Sequence, residues 1–113
     1  MSIIAVHEYL DAAGRSPFAR WFERLNAVAA ARVSTAMYRL GEGNFSNVKG
    51  VGAGVFETRI DFGPGYRVYF GKDGETLIVL LGGSAKKDQA DAIARASAAW
   101  VAFKAAKRSL RKG

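Results

Sequence analysis

The spacing of hydrophobic residues changes several times along the chain, and each change predicts a different element. Residues 2–9 are rich in β-branched and aromatic side chains, which predicts a first strand. Ser16 then provides an N-cap, and Pro17 occupies the first helical position. The apolar residues that follow have the i, i+3, i+4, i+7 spacing of one helix face: Phe18, Trp21, Phe22 and Leu25.

A second helix is predicted directly after the first. Asn26 can cap it, and Gly41 is expected to end it after residues 27–40. Its buried stripe is predicted to contain three residues, Val33, Met37 and Leu40. Because the two helices are joined so tightly, they should form an antiparallel hairpin.

The middle of the chain alternates with the period of two that is typical of strands. Residues 55–62 and 66–70 predict two strands joined by a turn at residues 63–65. The alternation places Phe56, Ile60, Phe62, Tyr66, Val68 and Phe70 in the core. It leaves Glu57, Arg59, Asp61, Arg67 and Tyr69 facing outward. Asp73-Gly74 indicates a further hairpin turn before a central strand at residues 76–81, so we expect a mainly antiparallel meander.

A long last helix is predicted from Lys86 to about Lys107, after residues 82–84 break the preceding strand. Its apolar positions are Ala92, Ala96, Ala99, Phe103, Ala106 and Leu110, with Ile93 and Trp100 beside them. Its basic end contains Lys104, Lys107, Arg108, Arg111 and Lys112. Such an end is either a solvated terminus that the helix dipole favours or a contact for RNA or a partner. The order β-αα-βββ-α predicts one α+β domain over residues 1–113.

Composition narrows the class of protein. Half of the 113 residues are hydrophobic, which argues against disorder, and the longest aliphatic run (residues 77–81) is too short to cross a membrane. The absence of cysteine excludes disulfides and thiolate metal sites. Without a recognisable secretion signal, a soluble cytoplasmic protein is expected. The net charge of +7 favours an anionic partner, either nucleic acid or an acidic protein, although basic domains also arise for solubility alone.

Few residues can support metal or triad chemistry. His7 is the single histidine and Glu8 lies on the opposite strand face, so neither a metal cluster nor a Ser–His–Asp triad can be assembled. The glycines within residues 50–54 precede a strand, whereas a phosphate-binding loop follows one. We therefore expect a flexible connection at residues 50–54 and no bound metal or cofactor.

A group of basic residues remains as the candidate site. If Asp61 pairs with Arg67, then Arg59 stands opposite Tyr69 on the same surface as Glu57. Lys49 enters from the loop before this hairpin, and Lys86 and Lys87 follow the central strand. Such a group can hold a phosphodiester and stabilise its transition state.

The same side chains can instead form ordinary exposed ion pairs. Arg67 would then pair with Asp61, and Glu57 with Arg59 or Lys49. An outward-facing Arg67 predicts that Arg67→Ala costs no more than about 1 kcal/mol of stability.

Two segments resemble a known family: residues 44–49, Asn-Phe-Ser-Asn-Val-Lys, and residues 54–70, Gly-Val-Phe-Glu-Thr-Arg-Ile-Asp-Phe-Gly-Pro-Gly-Tyr-Arg-Val-Tyr-Phe. They are similar to the phage-derived addiction module killer proteins, HigB-like members of the RelE/ParE toxin superfamily. The resemblance continues through residues 80–83, Lys86, Gln89 and residues 93–94. The chain differs from the family pattern at Ala85 and Asp88, where an aspartate and a threonine are usual.

The resemblance implies a toxin that cleaves mRNA on the ribosome, through attack of the RNA 2′-hydroxyl on the adjacent phosphate, and that a helix-turn-helix antitoxin inhibits. It implies catalytic roles for Arg59, Arg67 and Lys86. The candidates for substrate binding are Lys49, Lys87, Tyr69 and Glu57. The general base is unassigned, and the residues considered for it are Glu57, Tyr69 and Lys49. Two alternatives stay open because fold does not fix function. One is a ParE-like toxin that binds DNA gyrase, and the other is a silent relic that only binds its antitoxin.

Overall fold

The computed structural model of the protein describes residues 4–112 and contains five strands and three helices in those residues. Strand β1 (Ala5–Glu8) precedes helices α1 (Pro17–Phe22) and α2 (Ala27–Gly41). Four strands follow: β2 (Val48–Gly52), β3 (Val55–Ile60), β4 (Tyr66–Asp73) and β5 (Leu77–Ala85). A 3-10 turn (Lys86–Asp88) leads into α3 (Gln89–Lys112). Residues 2 and 3 of the predicted first strand lie outside the described residues.

The strands form one mixed sheet in the order β1-β5-β4-β3-β2. The antiparallel meander is confirmed, since β2 to β5 pair in succession. Strand β1 pairs in parallel with the edge of β5 that faces away from β4, with Ala5 opposite Leu77 and Glu8 opposite Leu80. Strand β5 is therefore central, as its apolar character on both faces predicts. The domain is α+β, as expected.

Helices cover both faces of the sheet, which the sequence did not reveal. One core lies under α1 and α2 and includes Phe18, Val33 and Phe70. The other lies under α3 and includes Tyr69 and Trp100. The strand face predicted to point outward is therefore partly enclosed, because α3 packs on it.

Two tryptophans dock the helices onto glycines of the sheet. The Trp21 ring of α1 lies so close to Gly83 that an added Cβ would meet it at 2.3 Å. The Trp100 ring of α3 lies equally close to Gly71, where the distance would be 2.5 Å. Glycine is thus required at both positions for this helix–sheet packing.

Both predicted helix N-caps are confirmed. The Ser16 hydroxyl and the Asn26 side-chain oxygen each accept a hydrogen bond from a backbone N–H three residues later, at 2.9 Å. The predicted end of α2 at Gly41 is wrong, because Gly41 is still helical. Gly43 has φ +86° and donates its N–H to Leu40, while Asn44 donates to Arg39. This Schellman pattern moves the stop two residues onward.

Several strand boundaries also differ from the predictions. Residues 50–54, expected to be a flexible connection, include the end of β2 and a two-residue turn in which Ala53 and Gly54 both have positive φ. Residues 82–84 do not break β5, which continues to Ala85 because it keeps pairing with β4. A 3-10 turn then delays the helical start from Lys86 to Gln89.

The last helix extends past the sheet. Ala92, Ala96 and Trp100 are buried, whereas Leu110, predicted to belong to the apolar stripe, is 82% exposed. In the basic end, Lys107 bonds to both carboxylate oxygens of Asp73. No helix among the described residues is long and apolar enough to span a membrane.

Candidate functional site

The candidate site is built by the register of β3 and β4. Arg59 stands directly opposite Arg67, and Glu57 stands opposite Tyr69. The expected pairing of Asp61 with Arg67 and of Arg59 with Tyr69 is therefore wrong. Ile60 pairs with Tyr66, so the loop between the strands consists of the five residues 61–65. The expected register required a shorter loop, formed by residues 63–65 alone.

The three residues predicted to be catalytic share one cavity of about 600 Å³. It is lined by Arg59, Asp61, the turn at residues 62–65, Arg67 and Lys86. The backbone N–H of Lys86 donates to the Gly65 carbonyl at 2.9 Å, which fixes the end of β5 against this turn. Gly65 has φ +84° and lies close to Lys86, so a residue with a side chain would strain the backbone there. The turn thus brings Lys86 beside the two arginines.

Arg67 is held in a buried ion pair. Its side chain is only 9% exposed, and its Nε lies 3.4 Å from Oε1 of Glu57, which is 2% exposed. The Gln89 amide donates to both Glu57 oxygens at 2.8 and 2.7 Å, and Lys49 Nζ lies 3.7 Å from the same carboxylate. The expectation that Arg67 and Glu57 face solvent is wrong, because α3 begins over them.

Tyr69 cannot contact a substrate in this conformation, contrary to its predicted role in substrate binding. It is fully buried, and its hydroxyl hydrogen-bonds to Ser84 at 3.0 Å. Burial raises the pKa of Tyr69 above its usual value. The buried phenol therefore stays protonated at neutral pH and is unsuited to be a general base.

The two other residues predicted to bind substrate lie outside the cavity. Lys87 is exposed in the 3-10 turn and does not line it, although its neighbour Lys86 does. Lys49 projects from β2 with 65% of its side chain exposed and reaches only Glu57. Neither lysine touches the space between Arg59 and Arg67 in this conformation.

Asp61 and Gln89 are the residues that the sequence argument missed. Asp61 was expected to pair with Arg67, yet its Oδ2 lies 3.5 Å from Arg59 Nε and it supplies the carboxylate of the cavity lining. Gln89 was noted only within the family resemblance, and its contact with Glu57 spans 32 residues of sequence. Nothing local in the sequence signals a contact of that length.

The chemistry of the cavity favours an anionic ligand. Two guanidinium groups and one ammonium group can neutralise a phosphate, and a carboxylate beside them can accept a proton. A second cavity of about 660 Å³ between β1, α1 and α2 is mainly apolar, and its charged lining residues are Glu8 and Glu42. The described residues contain no group of three metal-ligating side chains.

No protein-family model matches the chain. A protein of Haemophilus influenzae, described as uncharacterized, is 42% identical to it over 73 residues. The match covers 64% of this chain and 74% of that protein.

Proposed function

The chain belongs to the same family as the Haemophilus influenzae protein, and we propose that it is the toxin of a type II toxin–antitoxin system that cleaves mRNA on the ribosome. The observation that carries this proposal is the shared cavity of Arg59, Arg67 and Lys86. The RelE-like fold is part of the proposal. Its support is the order of two consecutive helices, a meander and a long last helix.

The proposed reaction uses the RNA itself as the nucleophile. The 2′-hydroxyl loses its proton and attacks the adjacent phosphorus, so that a bond from the 2′-oxygen to phosphorus forms. The bond from phosphorus to the 5′-oxygen breaks, which leaves a 2′,3′-cyclic phosphate, and the departing 5′-oxygen takes a proton from water. Arg59, Arg67 and Lys86 neutralise the extra negative charge on the phosphate oxygens, and loss of one such donor typically lowers the rate 10²–10³-fold. Asp61 is placed to accept the proton of the 2′-hydroxyl, because it is the carboxylate among the cavity-lining residues.

Neighbouring lysines offer a matched test of this function. Lys86 lines the cavity and Lys87 does not, although both are exposed residues of one 3-10 turn. Induction of the wild-type protein should produce new mRNA ends, mapped by primer extension, within actively translated messages. Lys86→Ala should lose these ends, and Lys87→Ala should keep them. Intact transcripts during growth arrest by the wild type would refute the proposal.

A second candidate is a toxin that binds DNA gyrase without cleaving RNA. The enclosure of Glu57 and Tyr69 favours it, because two of the three residues considered as a general base are withdrawn from the surface. Accumulation of gyrase cleavage complexes in a supercoiling assay would identify this activity. Harmless expression without the neighbouring gene would instead indicate a silent relic that only binds its antitoxin.

The proposed partner is a helix-turn-helix antitoxin encoded by a neighbouring gene, and the proposed location is the cytoplasm. The net charge of +7 supports an acidic antitoxin segment, since complementary charge steers association. Co-expression of both genes should yield a complex that survives moderate salt. Recovery of the toxin alone would count against this partner.

A further inference from the structure

Burial of the ion pair between Glu57 and Arg67 has a high desolvation free energy for a domain of this size. Both side chains lose their hydration, and an apolar pair of similar volume is often at least as stable. The pair also has imperfect geometry. Arg67 Nε is enclosed yet makes no hydrogen bond, although Glu57 Oε1 lies 3.4 Å away. Stability alone therefore gives no reason to place this pair under α3.

The carboxylate of Glu57 is fixed from a second direction. The Gln89 amide bonds to both of its oxygens, and Gln89 is the first residue of α3. The start of the long helix thus holds the carboxylate in one orientation. Tyr69 and Ser84 lie in the same enclosed layer, but their hydroxyl groups hydrogen-bond to each other and not to Glu57. The polar contacts of the Glu57 carboxylate are therefore those with Gln89, Arg67 and Lys49.

The position of Arg67 follows from that of Glu57. Its Nε faces the carboxylate, its Nη1 donates to the Tyr66 carbonyl at 3.2 Å, and the side chain lines the cavity. Nη2 has no hydrogen-bond partner among the described residues and, unlike Nε, is not completely buried. Nε and Nη1 therefore face oxygen atoms of the protein, and the N–H groups of Nη2 are left to bind a ligand in the cavity.

We propose that Glu57 and Gln89 are positioning residues, which hold Arg67 so that the Nη2 group of its guanidinium meets a phosphate of single-stranded RNA. This inference rests on the proposed function. Neither residue touches the RNA, so each acts only through Arg67. Through the bonds from Gln89 to Glu57, the position of Arg67 in the cavity depends on the start of α3, although no residue of α3 lines the cavity.

Kinetics of ribosome-dependent cleavage give the first test. Glu57→Gln keeps the size of the side chain and removes its charge. It should lower the cleavage rate about 10–100-fold, which is the typical effect of losing a residue that orients a metal ligand in a metalloenzyme. Gln89→Ala should cause a smaller loss. In an Arg67→Lys background, which removes the guanidinium, Glu57→Gln should add less than about threefold because the two residues act as one unit. Equal losses in both backgrounds would overturn the proposal.

Nuclear magnetic resonance gives a readout that is independent of cleavage. The Nε–Hε signal of Arg67, assigned by its loss in Arg67→Lys, should shift when a 2′-O-methyl RNA oligonucleotide is added to the wild type. Folded Glu57→Gln should lose this response. Ser84→Ala, which breaks the neighbouring bond to Tyr69, should keep it and serves as the control.

The outcomes separate the two proposals. If the signal responds to RNA in the wild type and not in Glu57→Gln, positioning holds even when no variant cleaves RNA, and the endonuclease function alone fails. If the wild type and Glu57→Gln respond alike, positioning is refuted while cleavage can stand. A wild-type signal that ignores RNA refutes positioning as well.

Discussion

Replacement of Arg67 by alanine should strongly destabilise the domain, contrary to the small cost that an outward-facing arginine predicts. Removal of one member of a buried ion pair typically costs roughly 3–5 kcal/mol, because the remaining charge stays buried without its partner. Glu57 keeps its two bonds to Gln89 and has Lys49 Nζ at 3.7 Å, so the lower end applies. We expect a loss of about 3 kcal/mol, which is roughly a fifth to three fifths of the 5–15 kcal/mol typical of a whole domain.

Urea denaturation followed by circular dichroism measures this loss. Arg59→Ala is the matched control, since Arg59 is the strand partner of Arg67 but is half exposed, and its loss should stay within about 1 kcal/mol. Arg67→Met combined with Glu57→Leu removes both charges and should recover most of the stability. A loss below about 1 kcal/mol for Arg67→Ala, or a double variant no more stable than the single one, would refute the reasoning.

Three further predictions concern other parts of the molecule. Gly71→Ala should lower the free energy of unfolding by about 1–3 kcal/mol, because its Cβ would lie 2.5 Å from the Trp100 ring. Gly50→Ala, whose nearest contact is 3.9 Å, should change it by less than about 0.5 kcal/mol, and equal effects in denaturation curves would contradict the packing argument. The raised pKa of Tyr69 means that the folded state keeps a proton that the unfolded state loses. Stability should therefore fall as pH rises above about 10, Tyr69→Phe should make this fall smaller, and an equal fall in both proteins would contradict the reasoning. Arg59→Ala should remain folded yet lower RNA cleavage about 10²–10³-fold, and unchanged cleavage would exclude Arg59 from the site.

Local signals predicted much of the fold. The caps at Ser16 and Asn26 were found because each hydroxyl or amide oxygen acts within three residues of its own position. Alternation likewise predicted the hairpin of β3 and β4. The parallel pairing of β1 with β5 was not predicted, since its partners are about 70 residues apart and neither strand specifies the other.

The candidate site was predicted only in part, for a physical reason. Alternation separates two strand faces, but it does not tell whether a helix covers the polar one. The prediction that Arg59 and Arg67 lie close together is therefore correct. The prediction that Glu57 and Tyr69 face solvent is wrong, because both are buried. The register also depended on the length of the loop between Ile60 and Tyr66, which alternation leaves undetermined.

The parallel pairing of β1 has a consequence during synthesis of the chain. The backbone groups of β1 bond to β5, so they wait until about 70 further residues have been added. At roughly 5–20 residues per second this takes on the order of 4–14 seconds, during which water must satisfy those groups. The two N-terminal helices and the strands β2 to β4 can form from nearer neighbours in that interval. A nascent chain stalled before Leu77 would thus expose β1 to quality-control proteases and chaperones, whatever the state of its helices.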